Sequence, residues 1–139
     1  MSLKTFSLLF GIVFLAVGVL GFVPGFVHPH DNPAVRVDGG LGLLFGLFPI
    51  NWLHNVIHIV FGLWGLAAAR SPTGGRAYAK SVAVIYALLT LMGLLPFLNT
   101  TFGLVPIYGN DIWLHALLAA VAAYFGFAYR TSESRVREA

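Results

Sequence analysis

The sequence predicts an all-α integral membrane protein, a four-helix bundle built from two tandem helical hairpins with both termini on the cytoplasmic side. Three observations predict it. The 139 residues are 58% hydrophobic and only 9% charged, whereas soluble domains carry about 25% charged residues. Four apolar segments approach the roughly 20 residues needed to cross a hydrocarbon core. The two halves of the chain also repeat the same motifs in the same order. With a mean hydropathy of +0.85, the chain lacks the polar residues to cover a water-facing surface, so lipid is its expected solvent.

The first predicted span covers residues 5–23. It follows Lys4 and is ended by Pro24 and Gly25. Its apolar run is long for a signal-peptide core and no Ala-x-Ala site follows, so it reads as a retained span. The second covers residues 52–69 and stops at Arg70-Ser71-Pro72. The third covers residues 78–98, with Pro96 near its end, and the fourth covers residues 112–129, closed by Arg130. Proline ends a helix because it lacks the N–H and crowds the preceding turn. Residues 70–77 read as a short polar connection. The outer loop, residues 24–51, begins polar and turns apolar over residues 41–50. That stretch is too short to span and is expected to be an interfacial or re-entrant segment over the bundle mouth. The charged tail, residues 130–139, is expected to fray.

Basic residues set the orientation. Lys4, Arg70, Arg76, Lys80, Arg130, Arg135 and Arg137 flank one side, and only Arg36 lies on the other. Asp31, Asp38 and Asp111 are all expected on the outer side, outside the spans. The net charge of +3 therefore reports topology rather than a nucleic-acid surface. The absence of cysteine excludes disulfides, thiolate metal sites and cysteine nucleophiles.

The repeat pairs Gly21-Phe22-Val23-Pro24 with Gly93-Leu94-Leu95-Pro96. It also pairs Phe45-Gly46-Leu47-Phe48-Pro49-Ile50, then Trp52-Leu53-His54, with Phe102-Gly103-Leu104-Val105-Pro106-Ile107, then Trp113-Leu114-His115. Each unit holds two spans, so the units are parallel and related by an axis along the membrane normal. The second and fourth helices are then expected to sit diagonally and face each other through matching stripes. These are His54, His58, Gly62, Gly65 and Ala69 on one, and His115, Ala119, Ala123, Gly126 and Arg130 on the other. Small residues on such faces permit close packing.

His54, His58 and His115 are the ionisable residues placed inside spans, and such residues are functional candidates because lipid solvates them poorly. Three readings fit them. They are packing glue, bonding across helices or to Asn55. Alternatively, His54 and His115 are axial ligands of a b-type haem between diagonal helices. Or all three hold a divalent metal, zinc or copper, with His54 and His58 at i,i+4. Asn55 stands where a metalloprotease has its glutamate base, so hydrolysis is not expected. The outer His28-Pro29-His30-Asp31 reads as an exposed turn, and Trp52 and Trp113 as interfacial anchors. The sequence has no glycine-rich phosphate loop, nucleophile elbow or carboxylate pair.

Asn51-Trp52-Leu53-His54-Asn55-Val56-Ile57-His58, followed by Gly62 and Gly65, resembles the signature of a bacterial family of small four-helix membrane proteins known as a domain of unknown function. Asn110-Asp111-Ile112-Trp113-Leu114-His115 is similar to that family's second signature, with the acidic/asparagine pair in reversed order. The resemblance implies the four-helix topology. It points to His54, His58 and His115, accompanied by Asn51, Asn55, Asn110 and Asp111, and it implies no reaction. A likeness to DoxX-like membrane subunits rests on size and topology alone.

The expected role is a non-enzymatic accessory, structural or assembly subunit of a larger complex in the bacterial inner membrane. Its partners would be lipid and other subunits or copies of itself, without nucleic acid. The alternatives are a haem- or quinone-linked redox protein and a small-molecule or ion carrier.

Overall fold

The computed structural model describes residues 1–130. The tail, with Arg135 and Arg137, lies outside the described residues. Among them the chain forms four α-helices and a small three-stranded sheet. Helix α1, Leu3–Leu20, starts at Ser2, whose hydroxyl accepts from the Thr5 amide at 3.1 Å. Helix α2, Trp52–Ala68, is capped by Asn51, whose side chain accepts from the His54 amide at 2.9 Å. Helix α3, Pro72–Leu94, follows almost at once, and α4, Asn110–Ala123, continues into a π-helical turn, Tyr124–Ala128. Three of these helices, Leu3–Leu20, Pro72–Leu94 and the continuous Asn110–Ala128, are long and apolar enough to cross a membrane. Helix α2 has 17 residues, about 26 Å at 1.5 Å per residue.

Several predicted boundaries move for local reasons. The 70–77 connection shrinks because Ser71 and Pro72 begin α3 rather than end α2. The Ser71 hydroxyl accepts from the Gly74 amide at 3.0 Å, and proline suits the first helical position, where its missing N–H has no intrahelical role. Helix α3 stops at Leu94 rather than residue 98, because the residue before Pro96 is driven to extended geometry (φ −103°, ψ 114°). Helix α1 stops at Leu20, three residues short of the prediction, and Gly21 presses against the Asn55 side chain.

Residues 41–50 form no re-entrant helix. The sheet is antiparallel in the order β1 (Val27–Pro29), β2 (Gly42–Leu44), β3 (Phe48–Ile50), with Leu44 opposite Val27 and Phe48. Leu44 and Ile50 are buried, so the apolar run folds inward as a hairpin. Its tip, Phe45-Gly46, has two consecutive positive φ values (54° and 71°), and the Leu47 amide donates to Leu44 O at 3.0 Å. Left-handed geometry at both central positions matches the twist of a tight hairpin.

Helix α1 packs mainly on α2 and α3 mainly on α4, while α3 touches both α1 and α2. The core is aromatic. Phe6 stacks on Phe125 at 4.8 Å, Phe14 stacks on Tyr86 at 5.4 Å, and Tyr78 and Val82 are fully buried beside them. The stripe of small residues on α2 meets α1, not α4. A Cβ on Gly62 would lie 2.6 Å from the Leu15 amide nitrogen, and one on Gly65 would lie 2.7 Å from Gly11 Cα. The buried residue on α2 is Ala68 rather than Ala69. On α4 it is Ala122 rather than Ala123, and Gly126 packs on Lys80 of α3.

Asn51 also fastens the outer layer. Its amide donates to Asp38 O at 2.9 Å and Leu104 O at 2.7 Å from a site 4% exposed. Asn51→Ala removes the cap and orphans both carbonyls. It is expected to destabilise the fold by about 2 kcal/mol, read as a lowered melting temperature in detergent.

Candidate functional site

The three histidines lie under the sheet, where α2 and α4 begin. Each is held by its neighbours. His54 Nδ1–H donates to Pro49 O of β3 at 3.2 Å. A carbonyl can only accept, so the proton sits on Nδ1 and Nε2 carries the free lone pair. His58 Nδ1–H likewise donates to His54 O at 3.1 Å, and its ring sits edge-on to Phe14 at 5.6 Å. His115 packs edge-on to Tyr86 at 4.9 Å, and its ring centroid is 6.4 Å from that of His54. His54 and His115, from two different helices, therefore come near each other in space although the glycine stripe on α2 faces α1.

Asp111 differs from expectation. The sequence places it outside the spans, yet it sits in the first turn of α4 with 2% exposure. Helix α4 starts two residues earlier than predicted, which puts Asp111 one turn before His115 on the same face. The buried residues Val105, Pro106 and Ile107 belong to the loop leading into that helix. One ligand atom from each of His54, Asp111 and His115 lies within 4.8 Å of the others. Asp111 Oδ2 and His115 Nδ1 are buried and have no hydrogen-bond partner among the described residues. Buried polar atoms are normally satisfied, and a buried carboxylate without a partner is costly.

His58 is not part of this group, although its ring lies 4.6 Å from that of His54; Asp111 and His115 share the i,i+4 spacing that His54 and His58 have. The signal for this was present in the sequence, as an aspartate and a histidine one turn apart. A helix start at residue 112 leaves Asp111 off that face, whereas the observed start at Asn110 includes it. The asparagines serve other ends. Asn55 is buried against Gly21, and Asn110 donates to Leu47 O at 3.2 Å. His28 is exposed and joins no metal-binding group among the described residues. Trp52 and Trp113 are 52% and 74% exposed.

Two nitrogens and one carboxylate oxygen are a donor set for a first-row divalent ion. Zinc takes such ligands at about 2.0–2.2 Å, and three protein ligands leave a fourth position open. The His54 Nδ1–H to Pro49 bond is the outer-shell contact that fixes a ligating imidazole's tautomer and orientation.

The sequence matches the family described as Domain of unknown function (DUF4383) over residues 4–128, and the chain belongs to that family. No curated protein and no solved structure matches it.

Proposed function

We propose, starting from membership in a family defined by sequence rather than by an activity, that this is a metal-binding integral membrane protein. In this reading His54, Asp111 and His115 hold one divalent transition-metal ion at the outer mouth of the helices. The observation that carries the proposal is the convergence of three buried ligand atoms, with a carboxylate oxygen and an imidazole nitrogen both lacking partners. A cation would satisfy both and would hold α2 to α4. Haem is less well served. The rings of His58 and Tyr86 lie 4.6 and 4.9 Å from His54 and His115, and Asp111 shares the same cluster. Neighbouring rings thus crowd both candidate axial ligands. The accessory-subunit reading draws on the few charges, the small water-exposed mass and the small-residue faces, and the face on α2 is taken up by α1 of the same chain.

The test is elemental analysis of protein purified through a tag without histidines and exposed to zinc, then freed of excess ion. About one zinc per chain is expected. A stoichiometry near zero, or a Soret band in the as-purified absorption spectrum, would overturn the proposal.

The tandem-repeat and N-in/C-in architecture belongs to the same proposal. Three features support the repeat. Thr101 to Leu104 makes the same turn as Leu44 to Leu47, with positive φ at Phe102 and Gly103 and a Leu104 amide to Thr101 O bond of 3.3 Å. The clamps are exchanged, since Asn51 binds Leu104 O while Asn110 binds Leu47 O. The alignment that superposes Gly21 on Gly93 also pairs Phe6 with Tyr78 and Phe14 with Tyr86, and these mates touch at 6.4 and 5.4 Å. Side chains near a twofold axis meet their own images. For orientation, Lys4, Arg70, Arg76, Lys80 and Arg130 cluster at the end where α1 begins, α2 turns into α3, and α4 ends. The positive-inside bias makes that end cytoplasmic.

Because the chain has no cysteine, single cysteines at Ser71 and Asp38 report the topology cleanly. An impermeant maleimide added to intact cells is expected to label the Asp38→Cys protein and spare the Ser71→Cys protein. The opposite pattern would reverse the orientation.

A further inference from the structure

A cavity of about 220 Å³ lies beside the histidines, between α2, α3 and the loop before α4. His54, His58, His115 and Tyr86 line one part of it, and its other walls are apolar except for Thr101, whose hydroxyl bonds backbone carbonyls of Thr100 and Val105. Leu53 and Ile57 from α2 and Ile85 and Leu89 from α3 are half-buried along it. Helices α2 and α3 meet more loosely than either neighbouring pair, which leaves a crevice between these two apolar helices.

We infer that this cavity takes a small apolar molecule bearing a single hydroxyl, which enters from the lipid and places its oxygen at the histidine end. Size limits the body to about one aromatic ring with a short substituent, since an apolar cavity of roughly 150 Å³ holds benzene. The polar groups fix the orientation. His58 has its Nδ1 proton committed to His54 O, so its Nε2 is an acceptor for a ligand hydroxyl. His54 and His115 belong both to this cavity and to the metal cluster, so the coordination position left open by three protein ligands adjoins the same space. The inference deepens the metal reading and rests on it for the coordinating partner, while His58 supplies a hydroxyl contact that needs no ion. An apolar pocket with a few convergent polar groups is the general form of a small-molecule site.

The probe is 4-(trifluoromethyl)phenol, followed by fluorine NMR with the zinc-loaded full chain in lipid nanodiscs. A bound resonance distinct from the lipid-partitioned one is expected. Ile57→Trp, which fills the mouth, should abolish that resonance, and Leu89→Trp fills it from the other helix should the first variant misfold. His58→Phe should weaken binding about tenfold, the worth of one good hydrogen bond, and the hydroxyl-free (trifluoromethyl)benzene should bind weaker by a similar factor. Absence of a bound resonance, its survival in folded Ile57→Trp protein, or equal binding of the hydroxyl-free analogue would overturn the inference. Should zinc fail to bind while phenol binding persists with its dependence on the hydroxyl and His58, the metal reading falls alone and the cavity assignment stands.

Discussion

Asp111→Asn is expected to abolish stoichiometric zinc binding while leaving the helices intact. The substitution keeps the side chain's size and removes only its charge. Outer-shell changes at metal sites cost about 10–100-fold in affinity, so losing a charged ligand should exceed about 100-fold, as read by competition with a chromophoric chelator. His54→Ala and His115→Ala should behave alike. His58→Ala should keep the ion, because His58 lies outside the cluster of ligand atoms. This separates the present geometry from a chelate by His54 and His58. If His58→Ala lost zinc as completely as Asp111→Asn, the ligand set would have to be redrawn. Acid should release the ion, since imidazole must be neutral and carboxylate ionised to ligate. Affinity is therefore expected to fall as pH drops, with protons taken up as zinc leaves.

The second large effect is expected at the contact between α1 and α2. A Cβ on Gly62 would stand 2.6 Å from the Leu15 nitrogen and 2.8 Å from its Cα, and a Cβ on Gly11 would stand 2.7 Å from the Leu66 nitrogen. These are backbone atoms of the facing helix and cannot rotate away, so the helices themselves must separate. Gly62→Leu and Gly11→Leu should each destabilise the protein by about 1–3 kcal/mol, the usual range for overpacking, measured by denaturation in detergent. Gly25→Ala is the control, because nothing lies within 4 Å of its Cβ position. Equal stability of Gly62→Leu and Gly25→Ala would show that the two helices do not approach this closely in the bilayer. Small-residue faces allow such approach, and dispersion between the apposed backbones drives association where lipid offers no hydrophobic gain.

Much of this protein was legible from residue order alone. Its apolar composition and its long helices are properties of local segments, so hydropathy and length read them without any partner. The histidines stood out because ionisable side chains are rare in such segments. The Phe-Gly-Leu and Trp-Leu-His motifs recur in the two halves of the sequence, and the rings of His54 and His115 lie 6.4 Å apart. The helix ends were less legible, since Ser71 and Pro72 can close one helix or open the next. The hydrogen bonds from Gly74 to the Ser71 hydroxyl and from Gly75 to Ser71 O distinguish the two.

What tertiary structure alone decided is where faces and loops go. The sequence marked Gly62 and Gly65 as a packing stripe, but whether it met α1 or α4 depends on how four cylinders arrange themselves. It showed an apolar run over residues 41–50, yet whether that run entered lipid or paired as strands depends on an inward surface that other segments create. It places Asp111 just outside the fourth span, where a carboxylate is ordinarily wet. Only the packing of His54 from α2 against the start of α4 makes it a buried neighbour of two imidazoles. Membrane character and candidate histidines were thus determined along the chain, because solvation is a property of segments. The site was determined across it, because coordination and burial require atoms that are distant in sequence to share one volume.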